Sequence, residues 1–168
     1  MDLVVSEEIL TQGDRKFRCA IGRSGLTANK TEGDGATPIG CYPLRQLLFR
    51  SDRLEQPVTD LPVRSLIPSD GWCDDPKDTQ RYNQLVTTPY ALSHEKLWCN
   101  DHVYDVIVVV GYNDDPCKSG KGSAIFIHLA REGYPPTAGC IALIKDDLLE
   151  VLKSTQATSK LIIYPPRA

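Results

Sequence analysis

At 168 residues, with a net charge of −3 and 41% hydrophobic residues, the chain has the length of one ordinary domain and enough apolar material for a real core. It has no basic excess to draw it to nucleic acid or an anionic membrane, and no run approaches the roughly 18 to 20 apolar residues of a membrane-spanning helix. Repeats, low-complexity tracts and linkers are absent, so residues 1–168 are expected to form a single domain with neither nucleic-acid partners nor membrane insertion.

The opening residues, Met1-Asp-Leu-Val-Val-Ser6, lack the basic flank, long apolar run and small-residue cleavage site of an export signal. A cytoplasmic protein is the expectation, with the periplasm as the alternative if a signal lies outside this sequence. Strands are predicted over residues 16–21, 40–45, 104–111, 123–129 and 161–164, each rich in β-branched or aromatic residues and bounded by Gly, Pro or Asn. Residues 51–100 carry Pro57, Pro62, Pro68, Pro76 and Pro89 among many Asp, Thr and Ser, a pattern of long irregular loops. Ordered loops of that length commonly wall or cover a cleft, and Trp72 and Trp98 are its candidate anchors. One helix is predicted over Lys145–Lys153, with acids in its first turn and Leu148, Leu149 and Leu152 on its inner face. The pattern is mostly β.

Six cysteines, Cys19, Cys41, Cys73, Cys99, Cys117 and Cys140, permit three disulfides in an exported protein and are expected as thiols in the cytoplasm. None form a C-x-x-C pair. His94, Cys99 and His102, with Asp101, are near enough in sequence to suggest zinc, but their spacing matches no standard site. Neither a metal nor any other cofactor is expected.

The chemistry concentrates in residues 128–140. A predicted strand delivers His128 to its end, and Thr137-Ala-Gly139 supplies a tight turn into Cys140 and the apolar Ile141-Ala-Leu-Ile144. A thiol attacks as thiolate, and a nearby imidazole can take its proton and hold the resulting charge. Gly139 permits close backbone approach to a carbonyl, and the amides of Gly139 and Cys140 are candidate oxyanion donors. The alternative for any single Cys is a small core hydrophobe.

These residues resemble the L,D-transpeptidase (YkuD-type) family of murein cross-linking and trimming enzymes. The family motif, a His followed after a loop by Ser/Thr-x-Gly-Cys, is matched by His128 and Thr137-Ala138-Gly139-Cys140. Residues 30–40, His94-Glu95, Tyr104-Asp105 and Gly111-Tyr112-Asn113 extend the resemblance over nearly the whole chain. It implies a β-sandwich with a short helix after the nucleophile. It also implies attack of Cys140 on the L,D bond between diaminopimelate and terminal D-alanine in a murein stem tetrapeptide, with His128 oriented by a backbone carbonyl. The candidate substrate-binding residues are Arg131, Tyr112, Asn113, Thr137, His94, Lys30 and Glu32; Asp34 and Glu95 stand beside them. Tyr112 and Asn113 equally suit a strand-ending turn.

Two departures matter. The Arg usual two residues after the nucleophile is Ala142 here, and the residue two before it, often His, is Ala138. Arg131 is the candidate replacement cation, since a guanidinium binds a carboxylate bidentately. The altered neighbours and the missing signal favour an L,D-carboxypeptidase that recycles muropeptides and releases the Cys140 thioester to water. The alternatives are a periplasmic L,D-transpeptidase forming 3-3 cross-links and a non-catalytic murein-binding domain.

Overall fold

The five β-branched residues of Val106–Val110 are buried at every position, which makes this segment a central strand covered on both faces. In the computed structural model, which describes residues 1–167, the elements run β1 (Leu3–Ser6), β2 (Ile9–Gln12), β3 (Arg15–Arg18), β4 (Leu26–Thr27), β5 (Thr37–Pro38), β6 (Gly40–Phe49) and β7 (Val63–Ser65). They continue with β8 (Asp70–Cys73), β9 (Leu85–Thr87), β10 (His94–Lys96), β11 (Val106–Val110), β12 (Phe126–Leu129), β13 (Ile141–Leu143), α1 (Lys145–Lys153) and β14 (Lys160–Ile163). The fold is mostly β, a sandwich with one short helix after Cys140.

β6 belongs to both layers. Its residues 40–43 pair with β14 and its residues 44–49 with β11, so the main sheet runs β13-β12-β11-β6-β14-β1-β2-β3, with β7 added on β6. At Val110 the register with β6 slips past Arg45, whose guanidinium instead makes a bidentate pair with Asp114 at 2.9 Å.

Strand alternation sorts the side chains into two cores. Val106, Val108, Val110, Ile127, Leu129, Ile141 and Leu143 point to one face, against Leu3, Val5, Leu161 and Ile163 and the buried Leu148, Val151 and Leu152 of α1. Leu48, Ile107, Val109, Phe126 and Cys140 point to the other, under Leu66, Trp72, Leu97 and Tyr104. Each such aliphatic side chain contributes about 1.5–3 kcal/mol by leaving water. Cys140 therefore lies on the second face, which is roofed by the irregular half of the chain.

The differences from the sequence expectations have local causes. The strand expected over 123–129 begins only at Phe126, because Ala124 takes a left-handed backbone at φ +53°. The proline-rich stretch 51–100 contains β7 and a small sheet, β10-β8-β9, short enough to escape a periodicity reading. β1 and β2, four residues each, were equally hidden in the opening segment. The helix has the expected bounds, but Val151 rather than Leu149 joins Leu148 and Leu152 in its buried stripe, as i, i+3, i+4 spacing requires. All six cysteines are free thiols, and no helix is long and apolar enough to cross a membrane among the described residues.

Candidate active site

β12 and β13 run parallel with Ile127 level with Ile141 and His128 level with Ala142. Paired residues in a parallel ladder share a face, so Phe126 and Cys140 form one level of the site and His128 and Ala142 the next. Nucleophile and base are thus diagonal neighbours, and the side chain directly beside the imidazole is a methyl group. Residues 130–140 must carry the chain back along β12 before β13 can run parallel to it. Pro135, Pro136, Thr137 and Ala138 of that return line a cavity of about 380 Å³, together with His128 and Cys140.

The turn before Cys140 is locked by small polar residues. The Thr137 hydroxyl donates to the Cys140 carbonyl and accepts from the Gly139 amide at 3.1 Å. Thr37, fully buried, donates to the Gly139 carbonyl at 2.8 Å and accepts from the Gly22 amide at 2.9 Å. Ala20 and Ala142 exchange both backbone hydrogen bonds, 2.8 and 3.0 Å, fixing the outer edge of β13. Gly139 has φ +136°, and a Cβ there would fall 2.8 Å from the Ala36 carbonyl oxygen, so only glycine fits. Of the two expected oxyanion donors, the Gly139 amide is engaged by Thr137, whereas the Cys140 amide makes no backbone hydrogen bond among the described residues.

The Cys140 sulfur accepts from the Phe126 amide at 3.3 Å and donates to the Ala124 carbonyl at 3.1 Å. Burial, then the negative charge of Glu95, pushes the thiol up to about 12. His128 Nδ1 bonds the Leu129 carbonyl at 3.0 Å, a contact only an N–H can make, so Nε2 carries the free lone pair. Burial, the largest cause, lowers the imidazole to about 4. Both groups rest neutral at pH 7, with the thiol turned to Ala124 and the backbone carbonyl of Leu129 orienting the base. Tyr104 packs edge-on to the His128 ring, centroids 5.4 Å apart, and its hydroxyl donates to Glu95.

The structure divides the candidate residues. Lys30, Glu32, Arg131 and Thr137 line the cavity with Cys140 and His128. Lys30 is buried and paired with Asp34, while Arg131 is exposed at 61% and paired with Asp101 at 2.9 Å, so neither ammonium nor guanidinium is free of a carboxylate. Tyr112, Asn113 and His94 lie elsewhere. Tyr112 stacks edge-on to Tyr42 and donates to the Lys121 carbonyl. Asn113, at φ +50°, caps the turn that follows β11 by bonding the Lys118 and Gly122 carbonyls. His94 bonds the Leu92 carbonyl beside Tyr90 and lines a separate shallow depression with Pro68 and Lys96. His102 pairs with Asp105 and Cys99 with the Lys96 carbonyl, and no group of three or more His, Cys, Asp or Glu suited to a metal occurs among the described residues.

Sequence reasoning missed two contributors. Ala124 offers its carbonyl to the thiol from a left-handed conformation that alanine rarely adopts, and no sequence signal marks it. Asn83 holds that residue in place: its Oδ1 accepts from the Ala124 amide and Trp72 Nε1, both at 3.0 Å, and its Nδ2 donates to the Tyr112 and Asn113 carbonyls at 2.9 Å. Glu95 and Tyr104 were visible as motif fragments, but only the fold joins them. Neither tryptophan lines the cavity: Trp72 packs 5.1 Å edge-on to Phe126 and anchors the loops over the second core, and Trp98 lies under the Arg50 guanidinium at 3.5 Å.

No curated protein and no solved structure matches the chain. A family model, that of the YkuD L,D-transpeptidase catalytic domain, matches residues 8–163. The match runs from just before β2 to the end of β14 and includes the crossover loop and the His128–Cys140 pair, and the chain belongs to the YkuD L,D-transpeptidase family of enzymes, which carry out cysteine acyl transfer on peptidoglycan.

Proposed function

We propose that the protein is an L,D-carboxypeptidase that removes terminal D-alanine from murein stem tetrapeptides. The observation that carries this reading is the cavity at Cys140. At about 380 Å³ it stands at the small end of the range for ligand pockets, about 300–1,000 Å³, enough for the end of one stem peptide. Water needs no further room as acceptor, while a second stem peptide does. The methyl of Ala142 beside His128, in place of a guanidinium, leaves space for that water next to the base. Six unpaired thiols suit the reducing cytoplasm, where muropeptides are recycled.

In this mechanism the thiol turns from the Ala124 carbonyl to His128 Nε2. With a thiol near 12 and an imidazole near 4, an ion pair is not formed in advance; proton transfer accompanies attack on the diaminopimelate carbonyl. The Cys140 amide, without a backbone partner among the described residues, binds the developing oxyanion in this reading, an effect of about 3 kcal/mol per donor in comparable sites. The C–N bond breaks, D-alanine leaves with the proton from His128, and a thioester remains. His128 then takes a proton from water, the hydroxide adds to the thioester, and the tripeptide carboxylate departs from the regenerated thiol.

Mass spectrometry of the products tests this. Incubation with disaccharide tetrapeptide is expected to give tripeptide and free D-alanine. A cross-linked dimer without tripeptide would replace the reading with transpeptidation, and release of D-alanine that persists in Cys140→Ala would remove the nucleophile. No reaction, with retained binding, would leave a murein-binding domain.

A further inference from the structure

Three carboxylates line the cavity, and the chain neutralises none of them. Glu32 accepts from Tyr82 at 2.7 Å and from Ser123, Asp74 accepts from Ser93 at 2.6 Å, and Glu95 accepts from Tyr104. All these donors are neutral hydroxyls, and no ion pair includes any of the three acids among the described residues. Two of the cavity's three cations are committed, Lys30 to Asp34 and Arg131 to Asp101.

Glu95 is the acid the fold aims at the catalytic pair. Antiparallel pairing of β10 with β8 sets it level with Trp72, the residue that packs on Phe126 beside Cys140. Its hydroxyl donor, Tyr104, packs on His128. A half-buried carboxylate held only by a neutral donor is costly, and a cation arriving in the cavity offsets that cost.

Resting on the stem-peptide reading above, we propose that Glu95 is a specificity-determining residue, whose carboxylate receives the free side-chain ammonium of the substrate's diamino acid. Burial, followed by the charges of Asp74 and Glu32, holds the Glu95 carboxyl above its ordinary range, and an ammonium relieves both. Stem peptides whose third residue carries a free amine are then accepted, and those with that amine blocked are discriminated against. The same neutralisation removes the like charge facing the Cys140 sulfur, so the correct substrate also eases formation of the thiolate.

The test compares two tetrapeptides, one with diaminopimelate bearing a free side-chain amine and one with that amine acetylated. A charge-assisted hydrogen bond predicts at least a tenfold preference in kcat/KM for the free amine in the wild type, on the order of what such a bond supplies. Glu95→Gln keeps an acceptor for Tyr104, and is expected to bring the ratio of kcat/KM for the two peptides to about one, whatever its effect on the absolute rates. Tyr104→Phe retains the charge and is expected to keep the preference. Calorimetry of the same peptides with Cys140→Ala, and with that variant also carrying Glu95→Gln, reads the subsite without turnover. Cleavage of both peptides at equal rates, or a preference that survives Glu95→Gln, overturns the subsite and leaves the hydrolase reading intact. Tenfold tighter, Glu95-dependent binding of the free amine without any cleavage supports the subsite and removes the hydrolase. Neither cleavage nor a binding difference overturns both.

Discussion

Alkylation of Cys140 tests whether the catalytic pair rests neutral. Burial and the charge of Glu95 raise the thiol from 9.0 to about 12, a penalty of about 4 kcal/mol on the thiolate. At pH 7 the thiolate fraction then falls about 1,000-fold below that of a thiol at its ordinary value. The assay is iodoacetamide labelling of the free enzyme from pH 5 to 11, read at each cysteine by peptide mass spectrometry. The exposed Cys41 reports reagent quality at every pH. Restricted access to a site only 8% exposed scales the Cys140 rate without changing its pH dependence. The expected profile therefore climbs about tenfold per pH unit through pH 10 with no earlier plateau. A preformed thiolate–imidazolium pair would instead hold the rate flat from about pH 5 to 8, and that result would refute the neutral pair and the concerted proton transfer built on it.

Four further outcomes follow from the geometry. Glu95→Gln removes the second cause of the raised thiol and is expected to move the Cys140 alkylation profile to lower pH, measured by the same labelling. His128 is lowered from 6.5 to about 4, so between those values the unfolded state binds the extra proton; stability is expected to fall by up to about 3 kcal/mol as pH drops from 6.5 to 4, and His128→Asn should flatten that part of a urea-denaturation series. Gly139→Ala puts a Cβ 2.8 Å from the Ala36 carbonyl oxygen at a backbone angle alanine resists, at a cost of about 1–3 kcal/mol, which lowers the melting midpoint by about 2–4 °C per kcal/mol. Thr37→Val leaves the Gly22 amide and Gly139 carbonyl without their buried partner; each orphan costs about 1–3 kcal/mol, and a loss of both stability and turnover is expected in parallel melts and product assays.

The parts of the molecule legible in sequence were those with a local chemical signature. β-branched density marked β11, the acidic first turn and leucine spacing marked α1, and Thr-Ala-Gly-Cys marked the nucleophile's turn. What stayed hidden depends on contacts between distant segments. Asn83 reads as one more polar residue in a proline-rich stretch, although it clamps Trp72, Ala124 and the end of β11 at once. Tyr112 and Asn113 follow a strand in a way that suits either a cleft or a turn, and hydrogen bonds to Lys121, Lys118 and Gly122 commit them to the turn. Arg131 keeps its place at the cavity, but Asp101, thirty positions away, already holds it.

The parallel pairing of β12 and β13 is the step that turns a sequence motif into a site. An antiparallel hairpin needs only a short turn, whereas parallel neighbours require a crossover long enough to retrace the first strand. The proline-bearing return of residues 130–140 serves that purpose, and in passing over the sheet it becomes one wall of the cavity. Register then decides the chemistry. A slip of one residue would exchange Cys140 and Ala142 for Ile141 on the catalytic face and bury the thiol against α1. The Ala20–Ala142 bridge, the Thr37 bond to Gly139 and the obligatory glycine oppose that slip from the outer edge of β13. The residues that hold register are thus as necessary to the thiol's reactivity as the imidazole beside it, although none of them touches the reacting bond.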